Sequence, residues 1–127
     1  MKILLVDDSR TIRSIQKNTL ATMGHTDVLE AADGVEALSV LGAQRPDLVL
    51  VDWNMPKMDG ITLVRRIREH DKTLPLIMVT TEAEKARVME ALKAGVSNYV
   101  VKPFTAETLS EKIDQTMSKA AAAAGTS

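Results

Sequence analysis

The sequence predicts an α/β domain in which helices cover both faces of a five-stranded parallel sheet. Short apolar runs that suit buried strands alternate five times with segments of helical periodicity. Glycine or proline marks several of the boundaries, as at Gly24, Pro46 and Gly95. Helical segments of about ten to fifteen residues between strands favour right-handed crossovers in a doubly wound (βα)5 sheet. With 127 residues, of which 45% are hydrophobic, the chain is long enough for one domain with a real core.

The first unit pairs an apolar strand with an amphipathic helix. The predicted strand covers Lys2–Val6, Ser9 is placed to cap the helix, and Gly24 is placed to end it. The apolar residues of this helix that follow helical spacing are Ile12, Ile15, Leu20 and Met23.

The second unit begins with a shorter and more polar segment. Residues 26–30 are predicted to form a strand on the edge side of the sheet. Asp33 and Glu36 have the spacing of a capping box with the aspartate in the capping role, which predicts the start of a helix. The residues expected to face the core from this helix are Val35, Leu38 and Leu41.

The third unit follows Pro46 and contains a strand over residues 47–51 and a helix from about Gly60 to His70. The inward residues of the helix are predicted to be Ile61, Val64 and Ile67. Asp52 comes directly after the strand, at the crevice where α/β folds usually place their chemistry. Taken alone, this residue could equally cap a turn.

The fourth unit has a predicted strand over Leu76–Val79 that ends at Thr80. Thr81 and Glu84 have the spacing of a capping box for the fourth helix, and Gly95 is placed to stop it. The residues expected on one face of that helix are Val88 and Leu92.

The fifth unit closes the pattern. It has a strand over Asn98–Val101 and a helix capped by Thr105. The apolar residues of this helix are Leu109, Ile113 and Met117. We expect a single domain over residues 1–118 and an Ala-rich tail over 119–127, which prolongs the helix by a turn or frays and to which we assign no function.

Composition excludes several classes of function. The chain has 16 basic and 17 acidic residues and no long basic run, so it does not indicate nucleic-acid binding. It has no cysteine, hence neither a disulfide framework nor a thiolate metal site, and this composition is compatible with the cytoplasm. The absence of any apolar run of about 18 residues argues against a membrane span. The apolar run at the N-terminus is too short for a signal peptide.

Five side chains with useful chemistry follow the ends of the predicted strands. They are Asp7, Asp8, Asp52, Thr80 and Lys102. Because the carboxyl ends of parallel strands lie at one edge of the sheet, we expect these side chains to meet in one crevice, while Glu30 fits the pattern less well. Each residue alone has a simpler interpretation as a cap, a strand end or a solvated lysine. Their coincidence at the ends of four strands favours a common site.

The predicted crevice has the chemistry of phosphoryl transfer. Three carboxylates in one crevice repel each other, so a cation must offset their charge. Oxygen ligands without histidine or cysteine suit Mg²⁺, which also accepts phosphate oxygens. Lys102 offers a second positive charge and Thr80 a hydroxyl donor. An aspartate carboxylate can attack phosphorus and become an aspartyl phosphate.

Four motifs connect these residues to a known family. They are LLVDDS at 4–9, LVDWNMPKMDG at 50–60, MVTTEA at 78–83 and YVVKPF at 99–104. With them the chain resembles the receiver domain of bacterial two-component response regulators over about residues 1–118, and most closely the stand-alone chemotaxis regulators of that family. The resemblance implies a flavodoxin-like receiver fold with strand order 2-1-3-4-5.

The resemblance also implies roles for the site residues. Asp52 would be the phosphoacceptor, and Mg²⁺, or Mn²⁺ in its place, would be bound by the carboxylates of Asp8 and Asp52 and the backbone carbonyl of Asn54. Asp7 would act through a metal-bound water. Lys102 would contact the phosphoryl group, and its peptide bond to the following proline would be cis.

Further residues are implied to switch the domain and to tune its rates. Thr80 would donate to the phosphoryl group, and burial of Tyr99 would follow; Tyr99 could also be a packed tyrosine with a wet hydroxyl. Asn54 and Glu82 match positions that help to place the attacking water, which predicts a fairly short-lived phosphoryl group. The chain departs from the family pattern twice. Thr81 stands where the family often has a smaller residue, so its side chain would narrow access to the phosphorylation site. Ser9 stands where enteric chemotaxis regulators have a bulky aromatic residue, and this difference would affect the binding of a phosphatase.

The function implied is that of a single-domain response regulator, a signalling module that assists its own phosphorylation and dephosphorylation but is not an enzyme. A histidine kinase would supply the phosphoryl group. The surface of the fourth helix, fifth strand and fifth helix would bind an output partner, either the flagellar motor switch or another signalling protein. A phosphatase would be a further partner. The protein would be cytoplasmic and monomeric when unphosphorylated, and it would bind neither nucleic acid nor a membrane. A receiver-only relay outside chemotaxis is the alternative.

Two other classes fit the sequence less well. A flavodoxin-like cofactor binder needs a loop that cradles phosphate after the first strand, where this chain has Asp7 and Asp8. A phosphatase of the haloacid-dehalogenase type places a second aspartate two residues after its nucleophile, where this chain has Asn54, and adds a cap domain.

Overall fold

A computed structural model describes residues 1–125 of the chain as five strands that alternate with five helices. The strands are β1 (Lys2–Val6), β2 (Asp27–Ala31), β3 (Leu48–Val51), β4 (Leu76–Thr80) and β5 (Asn98–Val101). The helices are α1 (Arg10–Thr22), α2 (Gly34–Ala43), α3 (Gly60–His70), α4 (Lys85–Ala94) and α5 (Ala106–Gly125). The predicted (βα)5 pattern is confirmed.

All strands pair in parallel in one sheet with the order β2-β1-β3-β4-β5, which confirms the predicted order. All four residues of β3, and all five of β4, are buried. Continuous apolar strands of this kind are typical of a sheet that is covered on both faces. The strands therefore begin together at one edge, which we call the amino edge, and end together at the other, the carboxyl edge.

The core has two layers, one on each face of the sheet. Alternate residues of each strand point to opposite faces, so Val49 and Val51 pack with α2, α3 and α4, whereas Leu48 and Leu50 pack with α1 and α5. The first layer includes Ile61, Val64 and Ile67 of α3, as predicted. The second layer includes Leu20 of α1 and Leu109 and Ile113 of α5.

Most predicted helix ends are confirmed. The Ser9 hydroxyl accepts a hydrogen bond from the amide of Ile12 at 3.2 Å, and Asp33 accepts one from the amide of Glu36 at 2.8 Å. Gly95 ends α4 in the left-handed region at φ 115°. The capping box predicted for α4 is wrong.

In place of that box, Glu84 is the N-cap residue of α4, and it makes no side-chain capping bond. Thr81 stays exposed in the loop before the helix. The helix starts later than the motif suggested because the chain first has to leave the end of β4 and cross the carboxyl edge.

Three apolar residues that we expected on inward faces are exposed. They are Ile15 at 49%, Val35 at 52% and Leu92 at 46% relative exposure. The buried positions are instead Gln16, Ala37 and Ala91. Successive residues on a helix are about 100° apart, so α1 and α4 are turned by one residue from the expected face and α2 by two residues. Small alanines let α2 and α4 approach the sheet closely, which decides the rotation.

The last helix is longer than predicted. It continues through Gly125, so residues 120–125 of the Ala-rich tail are helical, and residues 126 and 127 lie outside the described part of the chain. None of the helices in the described residues combines the length and the apolar character needed to cross a bilayer.

Candidate functional site

Three carboxylates converge at the carboxyl edge. Asp7, Asp8 and Asp52 each offer an oxygen, and these oxygens all lie within 4.8 Å of one another. Sheet hydrogen bonding continues one residue beyond the strands and fixes two of them: the amide of Asp7 donates to Ala31 and the amide of Asp52 donates to Val6. Asp7 is 1% and Asp52 is 9% exposed, whereas Asp8 is open to solvent.

Lys102 lies between the two buried carboxylates. Its Nζ is 2.7 Å from Oδ2 of Asp7 and 3.4 Å from Oδ2 of Asp52. The residue follows β5, and its amide donates to the carbonyl of Thr80 at the end of β4. The peptide bond from Lys102 to Pro103 is cis, as expected. One ammonium group cannot balance three carboxylates, so the crevice keeps excess negative charge.

The electrostatics of Asp52 reflect this excess. Burial raises the pKa of Asp52; the Lys102 ammonium opposes the rise, and the Asp7 carboxylate adds to it. Ionised Asp52 is therefore held at a cost that a further cation would offset. The available ligands are carboxylate oxygens, which are hard donors suited to Mg²⁺ or a similar divalent ion. The residues present fit such an ion, and the three carboxylates form a group able to hold one.

Thr80 and the loop after it form one wall of the crevice. Thr80 is fully buried at the end of β4, and its hydroxyl is 3.4 Å from the amide of Glu82, from which it accepts. The Glu82 side chain meets Asn54 from the loop after β3, with 3.3 Å between Oε1 and Nδ2. This pair bridges the two loops that flank Asp52. The metal contact expected of the Asn54 carbonyl stays a prediction.

Tyr99 connects this wall to the interior. Its ring is 8% exposed, and its hydroxyl donates to the carbonyl of Glu82 at 2.5 Å. Burial raises the pKa of Tyr99 to about 12, and the Glu82 carboxylate adds to the rise. The hydroxyl is thus bonded to the backbone of the loop that follows β4. The switch role of Tyr99 stays a prediction.

Sequence reasoning missed Arg13, which holds the end of β1. Its guanidinium donates through Nη1 to the backbone carbonyl of Asp7 and through Nε to Glu30 Oε1 at 3.0 Å. Arg13 thereby fixes the peptide unit that joins Asp7 to Asp8. Glu30 lies outside the acidic cluster and pairs with Arg13 and Lys17 instead. The arginine lies one helical turn after the cap residue Ser9, but spacing alone gives no reason to expect this contact.

Sequence reasoning also missed the reason for glycine at position 60. A Cβ atom at Gly60 would lie 2.0 Å from the carbonyl oxygen of Asp52. The amide of Gly60 donates to the carbonyl of Trp53 at 2.7 Å, which closes the loop beneath the acidic cluster. Only a residue without a side chain allows α3 to begin this close to Asp52.

Trp53 is placed to report on the site. It is 4% exposed, and its amide donates to Oδ1 of Asp52 at 2.7 Å. The guanidinium of Arg87 on α4 lies 5.2 Å from the centre of its ring. Changes at Asp52 or in the position of α4 should therefore alter the fluorescence of this single tryptophan.

Comparison with known proteins agrees with this geometry. The sequence matches the family described as response regulator receiver domain over residues 3–114. It is 54% identical over 120 residues to a chemotaxis protein CheY homolog of Campylobacter jejuni, covering 92% of each chain. It is 55% identical over 117 residues to chemotaxis protein CheY1 of Helicobacter pylori, covering 90% of this chain and 94% of that protein.

A solved structure supports the same assignment. The structure of Vibrio cholerae CheY4 superimposes with a TM-score of 0.84 at 38% identity and covers 91% of this chain and 97% of that one. The chain belongs to the response regulator receiver domain family. It is therefore a signalling module of the two-component type, with an acidic cluster that can bind a metal ion.

Proposed function

We propose that this protein is a chemotaxis response regulator that takes a phosphoryl group from a histidine kinase onto Asp52 and then binds an output partner. The observation that carries the proposal is the position of the Asp52 carboxylate, beside the Lys102 ammonium and within the acidic cluster. The high identity to chemotaxis proteins of two organisms supports the pathway.

The chain's own residues supply most of the transfer chemistry. A carboxylate oxygen of Asp52 attacks phosphorus, the new O–P bond forms, and the P–N bond to the donor imidazole breaks. The bonding electron pair returns to the imidazole nitrogen, which takes a proton from solvent. Lys102 stabilises charge on the phosphoryl oxygens, and the buried position of Asp52 limits competing water.

A divalent ion would be held by Asp8, Asp52 and the carbonyl of Asn54, with Asp7 acting through a water. When bound, Mg²⁺ or Mn²⁺ would neutralise charge on the phosphoryl oxygens. Lys102 would then be free to exchange part of its contact with Asp7 for the phosphoryl group.

Phosphorylation would change the output surface through Thr80. Its hydroxyl would turn to donate to a phosphoryl oxygen, and the loop that carries Glu82 would follow. Because the hydroxyl of Tyr99 is bonded to Glu82, this movement would favour one arrangement of α4, β5 and α5 over another. The output partner would be the flagellar motor switch, and the protein would act as a monomer in the cytoplasm before phosphorylation.

The lifetime of the phosphoryl group would depend on the rim of the crevice. Asn54 and Glu82 would position the attacking water, and Thr81 would narrow its access. Replacing Asn54 or Glu82 with alanine should change the rate of hydrolysis. Equal rates in wild type and both variants would exclude this role. A phosphatase that reaches the same rim would shorten the lifetime further.

The decisive experiment follows Trp53 fluorescence while Mg²⁺ and then acetyl phosphate or beryllium fluoride is added. We expect a metal-dependent change and a second change that is absent in Asp52→Asn. No response to either addition would overturn the proposal. Binding of the beryllium fluoride form to the motor-switch protein of the same organism tests the pathway. A normal fluorescence response without such binding would indicate a relay outside chemotaxis.

A further inference from the structure

We propose that a groove at the amino edge of the sheet is a second binding site, which takes a small organic phosphate carrying two or more negative charges. The groove has a volume of about 510 Å³, within the range of small-molecule sites. It lies between the end of α3, the starts of β4 and β5, and the last turns of α5. It is at the opposite edge from the acidic cluster, so it does not depend on the function proposed above.

The charge of the groove selects an anion. Its lining includes Arg68, Lys72 and Lys119, and over the described residues no acidic side chain lines it. The side chains of Lys72 and Lys119 are exposed and form neither an ion pair nor a hydrogen bond within residues 1–125. Cations near the end of a helix are often explained by the helix dipole. That explanation does not cover Lys119, because α5 continues for more than a turn beyond it, to Gly125.

The groove also keeps unused hydrogen-bond donors. Arg68 donates through Nε to the carbonyl of Gly95 at 2.9 Å and through Nη1 to the carbonyl of Asp71 at 3.0 Å. A guanidinium has five N–H groups, so the remaining ones are available to a ligand from a fixed position. The hydroxyl of Ser97 accepts from the amide of Leu76 and keeps its own proton for a ligand. Fixed guanidinium and hydroxyl donors with mobile ammonium groups suit phosphate oxygens.

The shape of the groove favours an organic phosphate over the free ion. Pro75 and Ala120 form an apolar side of the lining, which gives a sugar or base a surface to pack on. The groove is much larger than one phosphate group requires. Lys119 and Ala120 lie beyond the region matched by the family, which ends at residue 114. The long α5 of this chain thus builds one wall of the site.

The test is an NMR titration of amide shifts with inorganic phosphate, pyrophosphate and adenosine diphosphate as probes. A chelator keeps metal out of the acidic cluster, which then repels phosphate. We expect saturable shifts at Lys72, Thr73, Ser97 and Lys119. Adenosine diphosphate should bind several-fold more tightly than pyrophosphate because of the apolar wall, and pyrophosphate more tightly than phosphate.

Variants decide whether the groove or general surface charge binds the probes. The double variant Lys72→Gln with Lys119→Gln should weaken binding by about tenfold or more, since each lysine contributes a charge-assisted contact. Lys93→Gln removes an exposed lysine from the last turn of α4 and should have no effect. Neither lysine of the groove makes a contact on which folding depends, so melting temperatures should stay unchanged.

Three results would overturn the proposal. They are shifts that do not saturate, equal weakening by Lys93→Gln, and equal affinity for adenosine diphosphate and phosphate. The last would mean a site for inorganic phosphate alone. The Trp53 response to Mg²⁺ and beryllium fluoride is measured on the same variants. Its persistence in the double variant separates failure of this site from failure of the function proposed for Asp52.

Discussion

The acidic cluster at the carboxyl edge and the groove at the amino edge carry opposite charge and hold it in different ways. At the carboxyl edge, Asp7 and Asp52 are buried and share the ammonium of Lys102. At the amino edge, Lys72 and Lys119 are exposed and unpaired within the described residues. The net charge of −1 hides this separation. Buried charges are costly and are retained where chemistry needs them, whereas exposed charges cost little and act by attraction.

The largest effect should come from adding one methyl group at each edge. Gly60→Ala places a Cβ atom 2.0 Å from a backbone oxygen of Asp52, which cannot move aside. We expect a loss of about 3 kcal/mol in the free energy of unfolding. Gly42 lies near the amino-edge end of α2, and a Cβ there meets nothing within 4 Å. Gly42→Ala should therefore stabilise by roughly 0.5 kcal/mol.

Urea unfolding of both variants measures this difference. Similar stabilities of the two alanine variants would mean that the loop beneath Asp52 yields more easily than its hydrogen bonds suggest. The close approach of α3 to Asp52 would then not depend on glycine at position 60.

The next largest effect concerns the metal. Asp8→Asn removes the one exposed carboxylate of the cluster without disturbing the buried pair. Affinity for Mg²⁺, followed by Trp53 fluorescence, should fall by about a hundredfold, since loss of a direct ligand should cost at least as much as loss of a residue that orients one. Lys72→Gln at the amino edge serves as the control and should leave the affinity unchanged.

Arg13 offers a finer test of how the carboxyl edge is held. Arg13→Met frees the peptide unit between Asp7 and Asp8, so Mg²⁺ affinity should fall by about tenfold through lost orientation. Lys17→Met is the matched control, because Lys17 also pairs with Glu30 but does not touch Asp7. Equal loss of affinity in the two variants would assign the effect to Glu30 rather than to the arginine's hold on Asp7.

The pH dependence of stability distinguishes buried charge from exposed charge. Burial raises the pKa of Asp52, so the folded state holds this proton more tightly than the unfolded state. Stability without metal therefore falls as the pH rises through the raised pKa, and the penalty is absent below the ordinary pKa of about 4. Asp52→Asn cannot ionise, so without metal it should be more stable than the wild type at pH 7 and equally stable near pH 3.

Thermal unfolding with a chelator at both pH values measures this gain. Saturating Mg²⁺ should reverse the order at pH 7, because the wild type binds the ion more tightly. A variant that is equally stabilised at pH 3 would show that its advantage comes from packing and not from charge.

The sequence was sufficient for features that depend on chain order. Parallel strands end at one edge whatever their neighbours do, so Asp7, Asp52 and Lys102 could be assigned to one crevice before any contact was known. Local signals such as Ser9 and Asp33 also worked, because a cap bonds to its own helix.

Features that depend on packing could not be predicted in this way. Whether Ile15 or Gln16 faces inward is decided by the fit of a whole helix against the sheet. The contact of Arg13 with Asp7 and the closeness of Gly60 to Asp52 require atomic distances between separate elements. The groove at the amino edge depends on the length of α5, which composition left open between one more turn and fraying.

The smallest effect is expected at a residue with a left-handed backbone conformation, of which each edge provides one example. At the amino edge, Gly24 adopts φ 88°, as a residue without a side chain can. At the carboxyl edge, Lys57 adopts φ 66° in the loop after Asp52, a conformation that strains any residue with a side chain. Its exposed ammonium lies 3.6 Å from the largely buried carboxylate of Asp33, and an ion pair with one solvated partner contributes little.

Lys57→Gly should therefore stabilise the protein by roughly 0.5 kcal/mol, since relief of strain exceeds the added freedom of the unfolded chain. Lys57→Ala is the matched control: like the glycine variant it loses the ion pair, but it keeps the backbone strain. It should therefore not stabilise the protein. Urea unfolding compares the two variants. Equal stability of the glycine and alanine variants would mean that the turn is not strained. If the glycine variant is more stable and its Mg²⁺ response is unchanged, the strain beside the acidic cluster has no part in metal binding.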